Sequence, residues 1–167
     1  VLEIFNILGE PAPTEVERKF LIKRPTQELL NSIEFSSKNN IIQTYLNAID
    51  DKTERRVRQR GTKEEGYNFY YTDKTDIGEG ERLENEYKIS SREYTNYLME
   101  ADTRLHQISK ERYCFLYDKQ YFELDIYPFS EEYAILEIEL KNIDEEVAFP
   151  PFIEIVKEVT NDKNYRN

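Results

Sequence analysis

Charged side chains recur two residues apart in one segment after another of this chain. Glu15, Glu17 and Lys19 fall on one side of a stretch whose other side carries Val16, Phe20 and Ile22. Arg56, Arg58 and Arg60 flank Val57, and Lys74 shares a side with Tyr70 and Thr72. Arg82, Glu84, Glu86 and Lys88 oppose Leu83, Tyr87 and Ile89; Lys110 and Arg112 oppose Tyr113 and Phe115. Glu123 and Asp125 oppose Phe122, Leu124 and Ile126, while Glu137, Glu139 and Lys141 oppose Leu136, Ile138 and Leu140. Carboxylate oxygens are hard ligands suited to Mg²⁺ or Mn²⁺, and guanidinium and ammonium groups grip phosphate oxygens. A triphosphate carrying a divalent cation would satisfy both sets at once. With one histidine, His106, and one cysteine, Cys114, a disulfide framework, a zinc finger and most imidazole or thiol chemistry are excluded. His106 reads as a surface residue and Cys114 as a small packed one.

The elements that must position these groups follow from the period of two, which is that of a β-strand. Strands are expected at residues 15–22, 41–49, 55–60, 67–74, 82–89, 108–116, 121–127 and 133–141. Thr26 can cap a short helix bearing Leu29, Leu30 and Ile33. Ser90-Ser-Arg-Glu93 is a capping box opening a helix with Tyr94, Tyr97, Leu98 and Ala101 on one face. After Pro150-Pro151, the spacing of Phe152, Ile153, Val156 and Val159 predicts a last helix. Strands do not alternate with helices in βαβ fashion, so an antiparallel meander is expected.

Two architectures accommodate the alternation. One is a sheet with a solvated face. The other closes the strands into a barrel, apolar outside under helices and charged inside. A solvated face mixes in Ser, Thr, Asn and Gln, and like charges two apart on one strand repel. The expected fold is therefore mainly β (α+β): a closed eight-stranded antiparallel tunnel barrel with a charged interior and a few short covering helices.

The 167 residues suit one domain, and 34 acidic against 23 basic residues leave a net charge of −11. That balance argues against nucleic acid as main partner and against an anionic membrane surface. No run approaches ~18 apolar residues, so no membrane span is expected, and a cytoplasmic setting is. Thirteen tyrosines and nine phenylalanines argue against disorder. Residues 1–13, with Gly9, Pro11 and Pro13, read as a linker or the end of an upstream element, leaving 14–167 as the domain and an upstream fused domain possible.

The charged segments, taken in order, resemble the CYTH, or triphosphate tunnel metalloenzyme, family. Glu15-Val-Glu17-Arg-Lys19 resembles its ExExK signature. Gln43-Thr-Tyr-Leu46, Arg56-Val-Arg58, Tyr71-Thr-Asp-Lys74, Arg82-Leu-Glu84-Asn-Glu86, Lys110-Glu-Arg112-Tyr, Asp125, Glu137-Ile-Glu139 and Glu158-Val-Thr160 follow at compatible spacing. The resemblance implies an eight-stranded tunnel acting on triphosphates with Mg²⁺ or Mn²⁺, two ions per site. It implies Glu15, Glu17, Asp125, Glu137 and Glu139 as metal ligands, with Glu84 and Glu86 contributing. Lys19, Arg56, Arg58, Lys74, Lys110 and Arg112, with Arg82, would hold phosphate. Tyr45 falls where some bacterial members carry a functional tyrosine, and also fits a packing role. Glu17, Tyr45 and Lys74 are the residues expected to act in the reaction, and Lys163 or Arg166 could close the site.

The activity so implied is hydrolysis of a phosphoanhydride, with one ion neutralising phosphate charge and a second activating water. Inorganic tripolyphosphate, which needs only charges, is the expected substrate. Thiamine triphosphatases of this kind carry a tryptophan just before the Arg-x-Arg pair. That position here is Glu54, and the chain has no Trp. A nucleoside or thiamine triphosphatase, a class IV-type adenylate cyclase and a non-catalytic polyphosphate-binding module are the alternatives.

Overall fold

The structure, a computed structural model of the chain, describes residues 16–34, 37–78, 81–142 and 144–166. Nine strands make one sheet: β1 (Val16–Lys23), β2 (Ser37–Tyr45), β3 (Thr53–Thr62), β4 (Gly66–Gly78), β5 (Glu81–Ile89), β6 (Ile108–Tyr117), β7 (Gln120–Ile126), β8 (Tyr133–Leu140) and β9 (Ile155–Glu158). Among the described residues two helices accompany them, α1 (Gln27–Ser32) and α2 (Ser91–Leu98), with a 3₁₀ turn at Lys163–Tyr165. The strand order is β5-β4-β3-β2-β6-β7-β8-β1-β9, and every pairing is antiparallel. The mainly β, antiparallel architecture matches the expectation from the alternation.

The sheet wraps rather than lying flat. Strands β4 and β1 are six places apart in the order, about 29 Å in a flat sheet at ordinary strand spacing. Yet the Lys74 ammonium on β4 lowers the pKa of Glu17 on β1, so the two face each other across a hollow. Closure is incomplete, because the outermost strands β5 and β9 are not hydrogen-bonded to one another.

The apolar sides of most strands face outward and are covered, while Leu83 and Tyr87 of β5 stay exposed. Phe20, Ile22, Phe115, Phe122, Leu124, Leu136 and Ile138 form the main core, sealed by Leu30 of α1 and by Val147, Phe149, Phe152 and Ile153. The Phe20 and Phe149 rings meet edge to face at 4.9 Å. A second core places Tyr94, Tyr97 and Leu98 of α2 over Val57, Phe69 and Tyr71. Both reciprocal hydrogen bonds of the capping box form: Glu93 N–H donates to Ser90 Oγ at 3.1 Å, and Ser90 N–H donates to Glu93 Oε1 at 3.1 Å.

Three expectations are corrected. The barrel of eight strands has nine, and it is open. The helix expected after Pro151 is instead a strap followed by a strand, since Ile155–Glu158 pairs with the free edge of β1. An unpaired edge offers hydrogen bonds that an isolated four-residue helix cannot match. The second strand runs Ser37–Tyr45 rather than 41–49, because Asn39 and Asn40 pair with β6 while Ile49 is left exposed.

Candidate active site in the tunnel

Directly opposed residues of an antiparallel pair share a face, so the register defines what lines the hollow. Across β7, β8 and β1 run two inner rows, Tyr121–Glu139–Glu17 and Glu123–Glu137–Lys19. Across β2, β3, β4 and β5 run the rows Tyr45–Arg56–Thr72–Glu86 and Gln43–Arg58–Tyr70–Lys88, with Glu54–Lys74–Glu84 beside them. Strand β6 joins the two halves, with Arg112 opposite Asp125 and Cys114 opposite Glu123. One wall is thus rich in carboxylates and the other in cations.

The buried centre of the site is an ion cluster. Lys110 Nζ donates to Asp125 Oδ2 at 2.7 Å, and Arg112 donates through Nε to Oδ1 at 2.7 Å and through Nη2 to Oδ2 at 2.8 Å. Arg112 also pairs with Glu123. Burial alone would raise the pKa of Asp125, but these two cations more than offset it and hold the group at about 2. Burial depresses Lys110 to about 8 against the pull of Asp125, so the pair is ionic at neutral pH. Asp125 is an expected metal ligand, yet here both its oxygens are engaged in orienting Lys110 and Arg112.

The carboxylate wall carries surplus negative charge. Glu17 lies opposite Glu139 and diagonal to Glu137. Its pKa is raised, first by loss of hydration within the concave wall and then by Glu137, with Glu123 and Glu139 adding to it. Glu123 is raised as well, by burial first and then, against the pull of Arg112, by Glu137 and Asp125. Glu137 pairs with Lys19 at 3.2 Å. Among the described residues, no three acidic, histidine or cysteine side chains stand at metal-ligating spacing. Like charges repel, and Glu137 and Glu123 turn to Lys19 and Arg112. Glu15 lies outside the described residues.

On the basic wall, Lys74 pairs with Glu84 at 3.4 Å, Arg56 approaches Glu84 at 4.0 Å, and Arg82 reaches Glu54 at 3.9 Å. Thr72 Oγ1 donates to Glu86 at 3.3 Å. Glu84 and Glu86, expected among the metal ligands, therefore sit on the cation side of the hollow. Arg58 is depressed to about 10 by burial and by the charges of Arg56 and Arg112. Tyr45 is half-buried beside Arg56 and Gln43, and its pKa is raised chiefly by burial and then by Glu54.

The C-terminal turn reaches the same place. Lys19 Nζ donates to the Tyr165 carbonyl at 3.2 Å, and Asp162 caps that turn through the Asn164 N–H at 2.9 Å. A backbone oxygen, rather than the side chain of Lys163 or Arg166, thus makes the contact to Lys19. Toward this end the lining turns apolar. Leu21, Ile108, Tyr127, Ile135, Val159 and Tyr165 pack together beside a cavity of about 540 Å³.

Three lining residues are absent from the set named from sequence. Arg60 is the third member of its Arg-x-Arg-x-Arg run, and its Nη2 lies 3.9 Å from the Cys114 sulfur. Glu123 was legible as an inward carboxylate. Gln43 shares a side with Tyr45 and could have been found by extending the alternation. His106 is exposed and Cys114 is buried, facing the hollow.

An antiparallel sheet curled around opposed acidic and basic walls defines a charged-tunnel protein. The CYTH domain profile matches residues 13–161, so this chain belongs to the CYTH family. It is similar to the inorganic triphosphatase of Nitrosomonas europaea, 31% identical over 156 residues, covering 92% of this chain and 94% of that protein. A crystal structure of an inorganic triphosphatase superposes with a TM-score of 0.60 at 30% identity, covering 92% of this chain and 91% of the other. The fold is shared with a putative adenylate cyclase of Bacillus halodurans, with a TM-score of 0.54, 18% identity, and 77% and 81% coverage. No helix among the described residues is long and apolar enough to cross a membrane.

Proposed function

We propose that this protein is a divalent-metal-dependent triphosphatase that hydrolyses inorganic tripolyphosphate in the tunnel. The observation that carries this reading is the facing of Glu17, Glu137 and Glu139 against Lys74, Arg56 and Arg58 across one hollow. The kinship with an inorganic triphosphatase over nearly the whole of both chains supports it.

The donor set fits a hard cation. Its ligands are carboxylate oxygens, and the pKa of Glu17 is raised first by burial and then by repulsion from Glu137, which a bound cation would relieve. Glu17, Glu137 and Glu139, with Glu15, would hold Mg²⁺ or Mn²⁺. When bound, such an ion neutralises phosphate charge and makes water a better nucleophile.

The protein's own groups supply the rest. Lys19, Arg56, Arg58, Lys74 and Arg82 line the chain of phosphates, fixing it in extension and stabilising charge on the transferring and leaving groups. Asp125 fixes Lys110 and Arg112 so that both present charge toward the same hollow. Tyr45 hydrogen-bonds to phosphate as the neutral phenol. Exposed His106 lies outside the lining set and takes no part.

A phosphate-release panel tests the reading. Tripolyphosphate, ATP, GTP, thiamine triphosphate and pyrophosphate are compared with Mg²⁺ and Mn²⁺, with cyclic AMP assayed in parallel. Fastest release from tripolyphosphate is expected. Cyclic AMP as the main product, or tight tripolyphosphate binding with no release under either metal, would replace it with the cyclase or the binding module.

A further inference from the structure

We infer that Gln43 is a positioning residue that fixes Arg58 while leaving it without a direct carboxylate ion pair, which tunes the tunnel to a polyanion; this rests on the phosphate-binding reading above. Gln43 stands directly opposite Arg58 in the β2–β3 register and is completely buried, at 0% exposure. Its Oε1 accepts a hydrogen bond from Arg58 Nη2 at 3.1 Å.

Five of the cations assigned to phosphate have carboxylate partners. Lys19 has Glu137, Lys74 has Glu84, Arg82 has Glu54, and Lys110 and Arg112 share Asp125. Among the described residues Arg58 has none within 4.0 Å; its side-chain partner is the neutral amide. Arg56 and Arg112 repel it, Glu86 and Asp125 attract it from beyond ion-pair distance, and the guanidinium is still protonated at neutral pH. A buried cation without a directly paired anion is costly to fold around. Glutamate at position 43 would keep the shape and remove that cost, so the amide favours something other than stability.

A second observation points to a ligand. Gln43 Nε2 and Arg58 Nε are both buried and have no hydrogen-bond partner among the described residues. Buried donors are nearly always satisfied, and these two sit on adjacent strands of one wall. An acceptor-only, multiply charged group meets both needs, and a phosphate chain is such a group. A carboxylate at position 43 would instead hold Arg58 in a closed ion pair.

The test compares wild type, Gln43→Glu and Gln43→Met. It measures tripolyphosphate binding by calorimetry in EDTA, steady-state kinetics with Mg²⁺, and melting temperature. Gln43→Glu is expected to melt at or above wild type yet bind tripolyphosphate about tenfold more weakly or worse, with KM rising more than kcat falls. Gln43→Met, which loses the acceptor but adds no charge, is expected to lose less affinity. Wild-type affinity in Gln43→Glu, equal losses in both variants, or a lower melting temperature for Gln43→Glu than for Gln43→Met overturns the role. A wild type that neither binds nor hydrolyses tripolyphosphate overturns the phosphate-binding reading beneath it. Variants that bind as well as a binding wild type overturn the inference alone.

Discussion

Glu17 and Asp125 are both inward carboxylates, and their surroundings push them in opposite directions. The folded pKa of Glu17 lies above its ordinary value of 4.5, so its ionised form is disfavoured by folding. Below pH 4.5 the group is protonated folded or unfolded and costs nothing. The penalty sets in as pH rises through the ordinary value to the raised one, and persists above it. Glu17→Gln should therefore melt at or above wild type at neutral pH, with the advantage vanishing below about pH 4. Mg²⁺-dependent turnover should fall about 10²-fold. Wild-type turnover in this variant would remove Glu17 from the site. Asp125 has the reverse sign. Held at about 2 by Lys110 and Arg112, it contributes stability above its ordinary 3.8 that is lost as pH falls toward 2. Asp125→Asn strands buried Lys110 and leaves Arg112 only Glu123, and urea denaturation should show a loss of about 3–5 kcal/mol.

At the scale of elements, stability and catalysis separate. Helix α2 packs on the outer face through Tyr94 and is fixed by its capping box, remote from the lining. Ser90→Ala removes the acceptor for the Glu93 N–H while leaving the Ser90 backbone N–H bonded to Glu93, and should cost about 1 kcal/mol in urea denaturation while kcat and KM stay at wild-type values. That cap and the inward faces of β1 and β3 to β8 were legible in the sequence because they are local patterns: a box of four residues and a period of two. The last helix misled because Phe152, Ile153, Val156 and Val159 are spaced as a helix spaces them. What decided the matter is an open strand edge over 130 residues away in the chain. The role of Gln43 was hidden for a related reason. A lone glutamine carries no pattern, and its meaning comes from Arg58 having no other side-chain hydrogen bond among the described residues. The engagement of Asp125 by two cations is equally a property of three-dimensional pairing, invisible to an alternation that shows only which way a side chain points.

For the whole molecule, a net charge of −11 would repel a polyanion if the charges were spread evenly. Binding therefore depends on segregation: cations gathered on β3, β4 and β6 facing inward, with much of the acidic excess elsewhere. A ligand that engages this array binds the folded chain alone, because unfolding disperses the cations. Tripolyphosphate with Mg²⁺ at 100 times its Kd should stabilise by about 2.7 kcal/mol, a rise of roughly 5–10 °C in melting temperature for a domain of this size. Pyrophosphate spans fewer of the cations and should give a smaller rise at equal concentration. Sodium chloride at matched ionic strength screens repulsion everywhere without bridging the wall, and marks the part of any shift that is not binding. A tripolyphosphate shift no larger than the chloride shift would mean that Arg56, Arg58 and Lys74 each meet water on their own. The opposed walls would then be a folding solution for a crowded set of charges, with no common ligand between them.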